Sequence, residues 1–183
     1  MKELSLNILD IAENSYKAGA TLTEIILIEE GKRLTITVKD DGHGMKRDVL
    51  LGVTDPFYTT RKTRSVGLGL PLLKLEAEMT GGDLKIASRH ADEFPNDHGT
   101  EVTATFYTDH IDCPPIGDIV STVVTLVQGH PDVDTLFVHR IEGREIKLDT
   151  REMRAVLDGI ALDTYEVLGW IKDTLEDAYS EIT

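Results

Sequence analysis

One short stretch of the 183-residue chain decides its fold: Val38-Lys39-Asp40-Asp41-Gly42-His43-Gly44-Met45. Residues 33–38 before it alternate apolar and polar side chains, which is typical of a half-buried strand. The strand therefore ends in two carboxylates and two glycines. Glycine lets a ligand approach the backbone without a Cβ in the way, and a fixed carboxylate accepts a hydrogen bond from an exocyclic amine. Because Asp-Gly is also common in turns, the stretch alone leaves a ligand site and a plain turn equally open.

A helix is predicted upstream, where four apolar side chains share one helical face: Ile8, Leu9, Ala12 and Tyr16. The opposite face carries Asp10, Asn14 and Lys17, which stack on successive turns because of their spacing. A carboxylate, an amide oxygen and an ammonium in one patch suit a base, a Mg²⁺ ligand and a phosphate contact. Taken alone, the helix favours the simpler interpretation of a solvated face with a loose ion pair.

The densest positive cluster, Arg61, Lys62 and Arg64, lies directly before a second predicted helix over about 70–79. Gly67-Leu68-Gly69-Leu70 opens that helix, and such a helix start offers free N–H groups and partial positive charge to a phosphate. The spacing fits neither a Walker sequence nor a dinucleotide-binding fingerprint. A lone Gly-x-Gly would be weak support for a phosphate site.

Net charge, hydropathy and cysteine content each argue against certain partners or settings. The chain has 33 acidic and 19 basic side chains and a formal net charge of −14, which argues against nucleic-acid binding. No apolar run approaches the roughly 20 residues of a membrane span, and the N-terminus lacks a signal-peptide core. Cys113 is the only cysteine, so we expect a reducing, cytoplasmic setting.

The prolines of Asp112-Cys113-Pro114-Pro115 predict a seam between residues 1–110 and 111–183. The second region carries 15 acidic and 6 basic side chains. Its patterns predict a small α+β region, with a helix, a hairpin over 136–148 and two closing helices. We expect this region to serve in packing, dimerisation or partner docking.

The last of these helices has apolar side chains at helical spacing: Tyr165, Leu168, Ile171 and Leu175. Trp170 lies between them. We expect Trp170 in the core rather than on a binding surface, because a lone tryptophan on an amphipathic helix is more often buried.

Five motifs occur in a fixed order: Asp10-x-x-x-Asn14, Asp40-x-Gly42-x-Gly44, Asp55–Arg61, Gly67-x-Gly69-Leu70 and Gly99-Thr100. Together they resemble the GHKL ATP-binding family, which joins gyrase B, the ninety-kilodalton heat-shock chaperones, histidine kinases and MutL mismatch-repair proteins. The resemblance covers about residues 4–108. It implies an α+β fold, a two-layer α/β sandwich of the GHKL (Bergerat) type with a mixed, largely antiparallel sheet and helices on one face.

The resemblance also implies the roles of individual residues in binding Mg²⁺ and ATP. Asn14 would hold Mg²⁺, Asp40 would accept the adenine amine, Lys17 would approach the phosphates and Thr100 would reach the adenine side. The remaining nucleotide-binding residues that it implies shape the base pocket or the lid between 57 and 67: Gly42, Gly44, Met45, Phe57, Arg61, Lys62, Gly67, Leu68, Gly69 and Leu70.

The catalytic base is the position that separates the branches of the family. Asp10 stands where chaperones and gyrases have glutamate and most histidine kinases have asparagine. A water or serine hydroxyl must lose a proton to attack phosphorus, whereas a neutral imidazole needs no base. Asp10 therefore favours hydrolysis or a hydroxyl acceptor. Aspartate is one methylene shorter than glutamate, so adjacent Glu13 is the second candidate.

Two further departures concern the sheet and the lid. The family usually has a strand before its first helix, and only nine residues precede Asp10 here. We expect the 136–148 hairpin or a second subunit to fill that place. Ser65 stands where many kinases have another glycine, which stiffens the lid.

Two functions are open at this point. The first is a stand-alone, histidine-kinase-like regulatory protein that lacks a phosphoacceptor helix and phosphorylates a protein partner or slowly hydrolyses ATP. The second is a non-catalytic ATP sensor whose lid and C-terminal region dock a partner. A homodimer fits either function, and a DNA-handling role is disfavoured by the negative charge.

Overall fold

The computed structural model describes residues 3–55 and 68–182. Its strands are β1 (Leu22–Glu30), β2 (Arg33–Asp40), β3 (Asp83–Arg89), β4 (Gly99–Tyr107), β5 (Asp134–Ile141) and β6 (Arg144–Asp149). Its helices are α1 (Leu4–Lys17), α2 (Arg47–Gly52), α3 (Gly69–Met79), α4 (Ile119–Gly129), α5 (Thr150–Leu157) and α6 (Tyr165–Ile182).

The strands form one open sheet in the order β3-β4-β2-β1-β5-β6. Every neighbouring pair is antiparallel except β1 and β5, which run parallel. Helix α1 contacts α3 and α4, and α4 contacts α6, so these four helices form a second layer. The predicted α+β sandwich with a mixed, largely antiparallel sheet is confirmed.

The hairpin of β1 and β2 forms because both strands alternate apolar and polar side chains. Ile25 and Leu27 of β1 and Ile36 of β2 are fully buried beneath the helices. Gly31 has φ +57° in the connecting turn, a left-handed conformation that glycine adopts without strain. Strand β2 ends at Asp40, whose side chain lies beside α1.

The first helix begins earlier than its apolar face suggested, at Leu4. Its first N–H groups have no acceptor within the helix, and those of Leu4 and Ser5 donate to the carbonyls of Pro115 and Ile116 at 2.9 and 2.8 Å. The linker thus caps α1. Helix α3 begins one residue before its predicted start, at Gly69, and ends at Met79 as predicted. The short α2 was not predicted.

The hairpin of β5 and β6 fills the place of the missing strand, as one of the two alternatives predicted. β5 lies beside β1 along its whole length, with Ile25 opposite Phe137. This edge of β1 is therefore covered by the same chain. The division of the chain at residue 110 stays a prediction, although buried residues of both regions belong to one hydrophobic cluster.

The expectation for Trp170 was wrong. Its side chain is 55% exposed, because Val167, Ile171 and Leu175 form the inward face of α6. Tyr165, also expected on the apolar face, is 88% exposed. None of the described helices has both the length and the apolar content that a membrane crossing requires.

Candidate functional site

A cavity of about 330 Å³ lies between α1, the ends of β2 and β4 and the segment before α2. Its apolar wall consists of Ile11, Ala18, Val38, Met45, Val49, Leu70 and Val102. Its other lining residues are Asn14, Ser15, Lys17, Asp40, His43, Gly44, Lys46, His90 and Thr100. A mostly apolar cavity with a few convergent polar groups is the usual form of a small-molecule site.

Three polar side chains lie in a row across the sheet at the end of this cavity. The register of the strands places Asp40 of β2 opposite Thr100 of β4, and Thr100 opposite Ser88 of β3. In each strand the same face carries apolar residues farther along, such as Val38 and Val102. The row is therefore a polar end to an otherwise apolar face of the sheet.

Both carboxylate oxygens of Asp40 already accept hydrogen bonds. The Ser15 hydroxyl, from α1, donates to Oδ2 at 2.8 Å, and the Gly42 N–H donates to Oδ1 at 2.9 Å. Ser15 is buried, with 2% of its surface exposed. The side chain of Asp40 is thus fixed, and a carboxylate oxygen has further lone pairs that can accept from a ligand.

The neighbouring carboxylate serves the backbone instead. Asp41 accepts from the Thr21 hydroxyl and from the N–H groups of Thr21 and Leu22. Partial burial acts to raise the pKa of Asp41, but these hydrogen bonds outweigh it and lower the pKa below its ordinary value. The Asp-Asp pair is therefore divided between a cavity residue and a structural residue.

Gly44 is required by the approach of one backbone segment to another. It has φ +71°, and a Cβ at this position would overlap the carbonyl oxygen of Arg89. The backbone of the loop after β2 therefore lies directly against the end of β3 at this glycine. The close approach expected from sequence at Gly44 is thus made by protein backbone.

Ser88 was missed in the sequence. It accepts from the Met45 N–H at 2.7 Å and donates to the Gly99 carbonyl at 3.0 Å. Because its single proton is used there, the Thr100 hydroxyl donates in the 2.8 Å hydrogen bond between Thr100 and Ser88. A sequence signal existed, since Ser88 continues the inward positions of Leu84 and Ile86 in β3 with a polar side chain.

Two histidines were also missed as cavity residues. His43 and His90 line the cavity, with ring centroids 5.9 Å apart. The segment that follows β3 brings His90 there, and the Ala91 N–H donates to the His43 carbonyl at 2.8 Å. Nothing in the local sequence indicates that the loop carrying His90 folds back over His43.

The candidate functional residues of α1 do not all face the cavity. Asn14 and Lys17 line the cavity. Asp10 lies beside α3, where its Oδ2 fills the space that a side chain at Gly69 would need. Glu13 contacts Nε2 of His130 at 3.0 Å, and His130 stacks on Tyr16 with ring centroids 3.8 Å apart.

The remaining predicted site residues fall in two groups. Phe57, Arg61, Lys62 and Gly67, together with Ser65, lie outside the described residues. The second group consists of Leu68 and Leu70 at the start of α3. Leu70 lines the cavity, whereas Leu68 is 62% exposed.

The cavity suits a cation only together with a ligand that brings oxygen atoms. Within residues 3–55 and 68–182, no group of three or more His, Cys, Asp or Glu side chains is arranged to hold a metal ion. Asn14 offers one amide oxygen at the cavity wall. Mg²⁺ prefers oxygen ligands and is commonly held by one or two protein groups plus substrate phosphates, so Asn14 fits that role.

The chain belongs to the family described as histidine kinase-, DNA gyrase B- and HSP90-like ATPases, which residues 1–110 match. It is 33% identical over 88 residues to sporulation kinase C of Bacillus subtilis, covering 48% of this chain and 20% of that protein. It is 30% identical over 94 residues to the sensor protein KdpD of Clostridium acetobutylicum, covering 49% of this chain and 10% of that protein. The chain therefore spans a fifth or less of these curated relatives.

The fold itself is similar to that of the Aquifex aeolicus MutL ATPase domain complexed with ADP. The two chains are 18% identical, with a TM-score of 0.52 over 86% of this chain and 70% of the other. The 86% of this chain that the likeness covers is a larger share than residues 1–110 make up. The likeness of fold therefore continues into the second region.

Proposed function

We propose that this chain binds ATP with Mg²⁺ in the cavity under α1 and acts as a histidine-kinase-like regulatory protein. In this role it phosphorylates a protein partner or hydrolyses ATP slowly. The observation that carries the proposal is the fixed carboxylate of Asp40 at the polar end of an apolar cavity. Membership of an ATPase family supports it. A cytoplasmic setting, where a lone cysteine stays reduced, fits this role.

The polar row favours adenine over guanine. Asp40 can only accept further hydrogen bonds when ionised, and adenine presents an exocyclic amine donor where guanine presents a carbonyl. The hydroxyl proton of Thr100 is directed to Ser88, so Thr100 also offers lone pairs. The apolar wall, which includes Val38, Val102 and Met45, covers the faces of a flat base.

The basic and amide side chains of the cavity wall suit the phosphates. Lys17 contributes a positive charge there, and Asn14 an amide oxygen that would hold Mg²⁺. The bound ion would neutralise part of the phosphate charge. The N-terminus of α3 at Gly69 adds the partial positive charge of a helix start.

We assign the base to Asp10. The attacking hydroxyl oxygen forms a bond to the γ-phosphorus and gives its proton to the carboxylate, while the bond between the γ-phosphorus and the bridging oxygen breaks and ADP leaves. Asp10 lies beside the first turn of α3, where its Oδ2 occupies the space that a side chain at Gly69 would need.

The first experiment compares two adjacent carboxylates. Asp40→Asn removes the charged acceptor, so ATP affinity measured by calorimetry with Mg²⁺ should fall about 10- to 100-fold, as expected for a hydrogen bond to a charged group. Asp41→Asn is the matched control, because Asp41 serves Thr21 and Leu22 instead of the cavity. Equal ATP affinity of Asp40→Asn and the wild type would remove Asp40 from the nucleotide site.

A non-catalytic ATP sensor is the second candidate, and one observation favours it. Glu13 is engaged by His130, and neither Glu13 nor Asp10 is among the described residues that line the cavity. Turnover separates the two functions. If Asp10 is the base, Asp10→Asn should keep ATP affinity and lose ATP hydrolysis or transfer in a steady-state phosphate-release assay. If the wild-type protein neither hydrolyses ATP nor labels a partner protein, the non-catalytic ATP sensor is the remaining function.

A further inference from the structure

The outward face of α6 carries one aromatic side chain among four acids. Trp170, the only tryptophan of the chain, is 55% exposed. Glu166, Asp173, Asp177 and Glu181 lie four residues before it and three, seven and eleven after it, and all four are exposed. At about 100° per residue, the five side chains fall within a sector of about 80°. We refer to these five residues as the α6 stripe.

The stripe is electrostatically unfavourable for the isolated chain. Asp173 and Asp177, and again Asp177 and Glu181, are like charges four residues apart, a spacing that destabilises a helix. The last turn of α6 contains no basic residue, so Glu181 adds a negative charge at the negative end of the helix dipole, where one guanidinium, that of Arg144 in β6, donates to the Ile182 carbonyl at 3.4 Å. Among the ion pairs of the described residues, α6 contributes only Lys172–Glu176, which lies outside the stripe.

The rest of the helix is held firmly, so the stripe is a preformed surface. Val167, Ile171 and Leu175 anchor the inward face in the core. The hydroxyl of Tyr179 lies 2.7 Å from Nδ1 of buried His139 in β5, which fixes the rotation of α6 about its axis. A rigid surface loses little conformational entropy on binding.

We propose that the α6 stripe docks a Lys- and Arg-rich segment of a partner protein. A guanidinium or ammonium group over the ring of Trp170 gains a cation–π interaction, and the flanking carboxylates accept charge-assisted hydrogen bonds from it. Such a segment covers the exposed indole and relieves the repulsion within the helix. Tryptophan is also among the commonest anchors of protein interfaces.

The charge of the stripe disfavours the other occupants. A two-fold contact between stripes of two copies would place carboxylates against carboxylates. Nucleic acids and anionic membranes carry the same sign of charge as the stripe. A basic polypeptide is the occupant that its chemistry fits.

Fluorescein-labelled hexa-arginine serves as the probe, with hexaglutamate as the comparison peptide. We expect saturable binding of hexa-arginine by anisotropy, weakening as salt is raised, and no binding of hexaglutamate. Unlabelled hexa-arginine should change the emission of Trp170. Because the chain has a single tryptophan, that change reports on the stripe itself.

Two charge-matched variants make the test specific. Asp173→Asn/Asp177→Asn should weaken hexa-arginine binding about fivefold, and Trp170→Ala by a similar factor. Glu30→Gln/Asp83→Asn changes the net charge equally at exposed positions of the sheet and should leave the affinity close to that of the wild type.

Equal affinity of the two double variants would overturn the proposal, as would an unchanged Trp170 emission at saturating hexa-arginine. Self-association of the wild type in sedimentation velocity that Trp170→Ala abolishes would assign the stripe to a second copy and overturn it as well. ATP affinity of the stripe variants should equal that of the wild type, so the outcome is independent of the nucleotide site.

Discussion

At the scale of single residues, Gly69 and Asp10 lie close together where the start of α3 meets α1. A methyl group at Gly69 would overlap the Asp10 carboxylate. The resemblance implied that Gly69 flanks the lid. The structure adds a second reason for glycine, because the missing side chain makes room for a carboxylate at the helix N-terminus.

We expect strong coupling between these two residues in a double-mutant cycle. In an Asp10→Ala background, Gly69→Ala should stabilise the protein by about 0.5–1 kcal/mol, since alanine is the better helix residue and the space is empty. In the wild-type background the gain should be smaller or reversed, because the new methyl displaces the carboxylate. Urea unfolding measures both changes in the free energy of unfolding. The same change in both backgrounds would contradict the contact.

Residues that carry their own motif could be predicted from the sequence, and those that act through a neighbour could not. Asp40, Asn14 and Lys17 were predicted to face one ligand, and they line one cavity. The hydroxyl of Ser15, which fixes Asp40, is 25 residues away in the chain. That contact depends on how α1 lies on β2, which no local pattern specifies.

The partner of Glu13 is still more remote. His130 belongs to the second region and meets Glu13 across 117 residues of sequence. Sequence patterns in the second region are local, so they give no indication that His130 is the partner of an acid on α1. Long-range pairs of this kind arise from the packing of α4 on α1.

At the scale of elements, hairpins were predicted well because alternation and turn residues are local signals. The 136–148 hairpin was expected as the missing edge, and the structure supplies the parallel register of β5 on β1. The inward face of α6 was predicted correctly at Ile171 and Leu175, which are buried, and wrongly at Tyr165 and Trp170, which are exposed. Tyr165 and Leu168 fit the same helical period as Val167, and only the position of the sheet decides which of them faces inward.

The junction of α6 with the sheet predicts a pH dependence. His139 is 2% exposed and lies 2.9 Å from Glu29 of β1 and 2.7 Å from the Tyr179 hydroxyl. Burial lowers the pKa of His139, and the Glu29 carboxylate only partly opposes this. The unfolded chain therefore binds a proton at this histidine, near pH 6.5, before the folded protein does.

Stability should thus fall as the pH decreases from about 6.5 towards the folded pKa, with a slope of at most about 1.4 kcal/mol per pH unit from this group. His139→Gln should remove that part of the slope in urea unfolding between pH 7.5 and 5. His110→Gln is the control, since His110 lies on an exposed loop. A slope unchanged by His139→Gln would show that His139 does not titrate in this range.

At the scale of the whole molecule, the two predicted regions share one sheet and one core. Phe137 of β5 and Ile25 of β1 lie side by side and are both fully buried. A fragment of residues 1–110 would leave the backbone of β1 unpaired on that side and the α4 face of α1 uncovered. Exposed strand edges of this kind promote aggregation.

We expect the fragment 1–110 to lose cooperative urea unfolding, and to regain it when the fragment 111–183 is added. Circular dichroism measures both. The full chain is the reference for ATP affinity. A fragment 1–110 as stable as the full chain would make residues 1–110 a domain in their own right, as the sequence predicted.

The parallel neighbours β1 and β5 also constrain the order of events during synthesis. More than a hundred residues separate Leu22 from its partner Asp134, and all of them must leave the ribosome before the two strands can join. Parallel pairing over such a distance raises contact order and slows folding. The nascent chain therefore carries a bare strand edge for much of its translation, a state in which chaperones commonly engage new polypeptides.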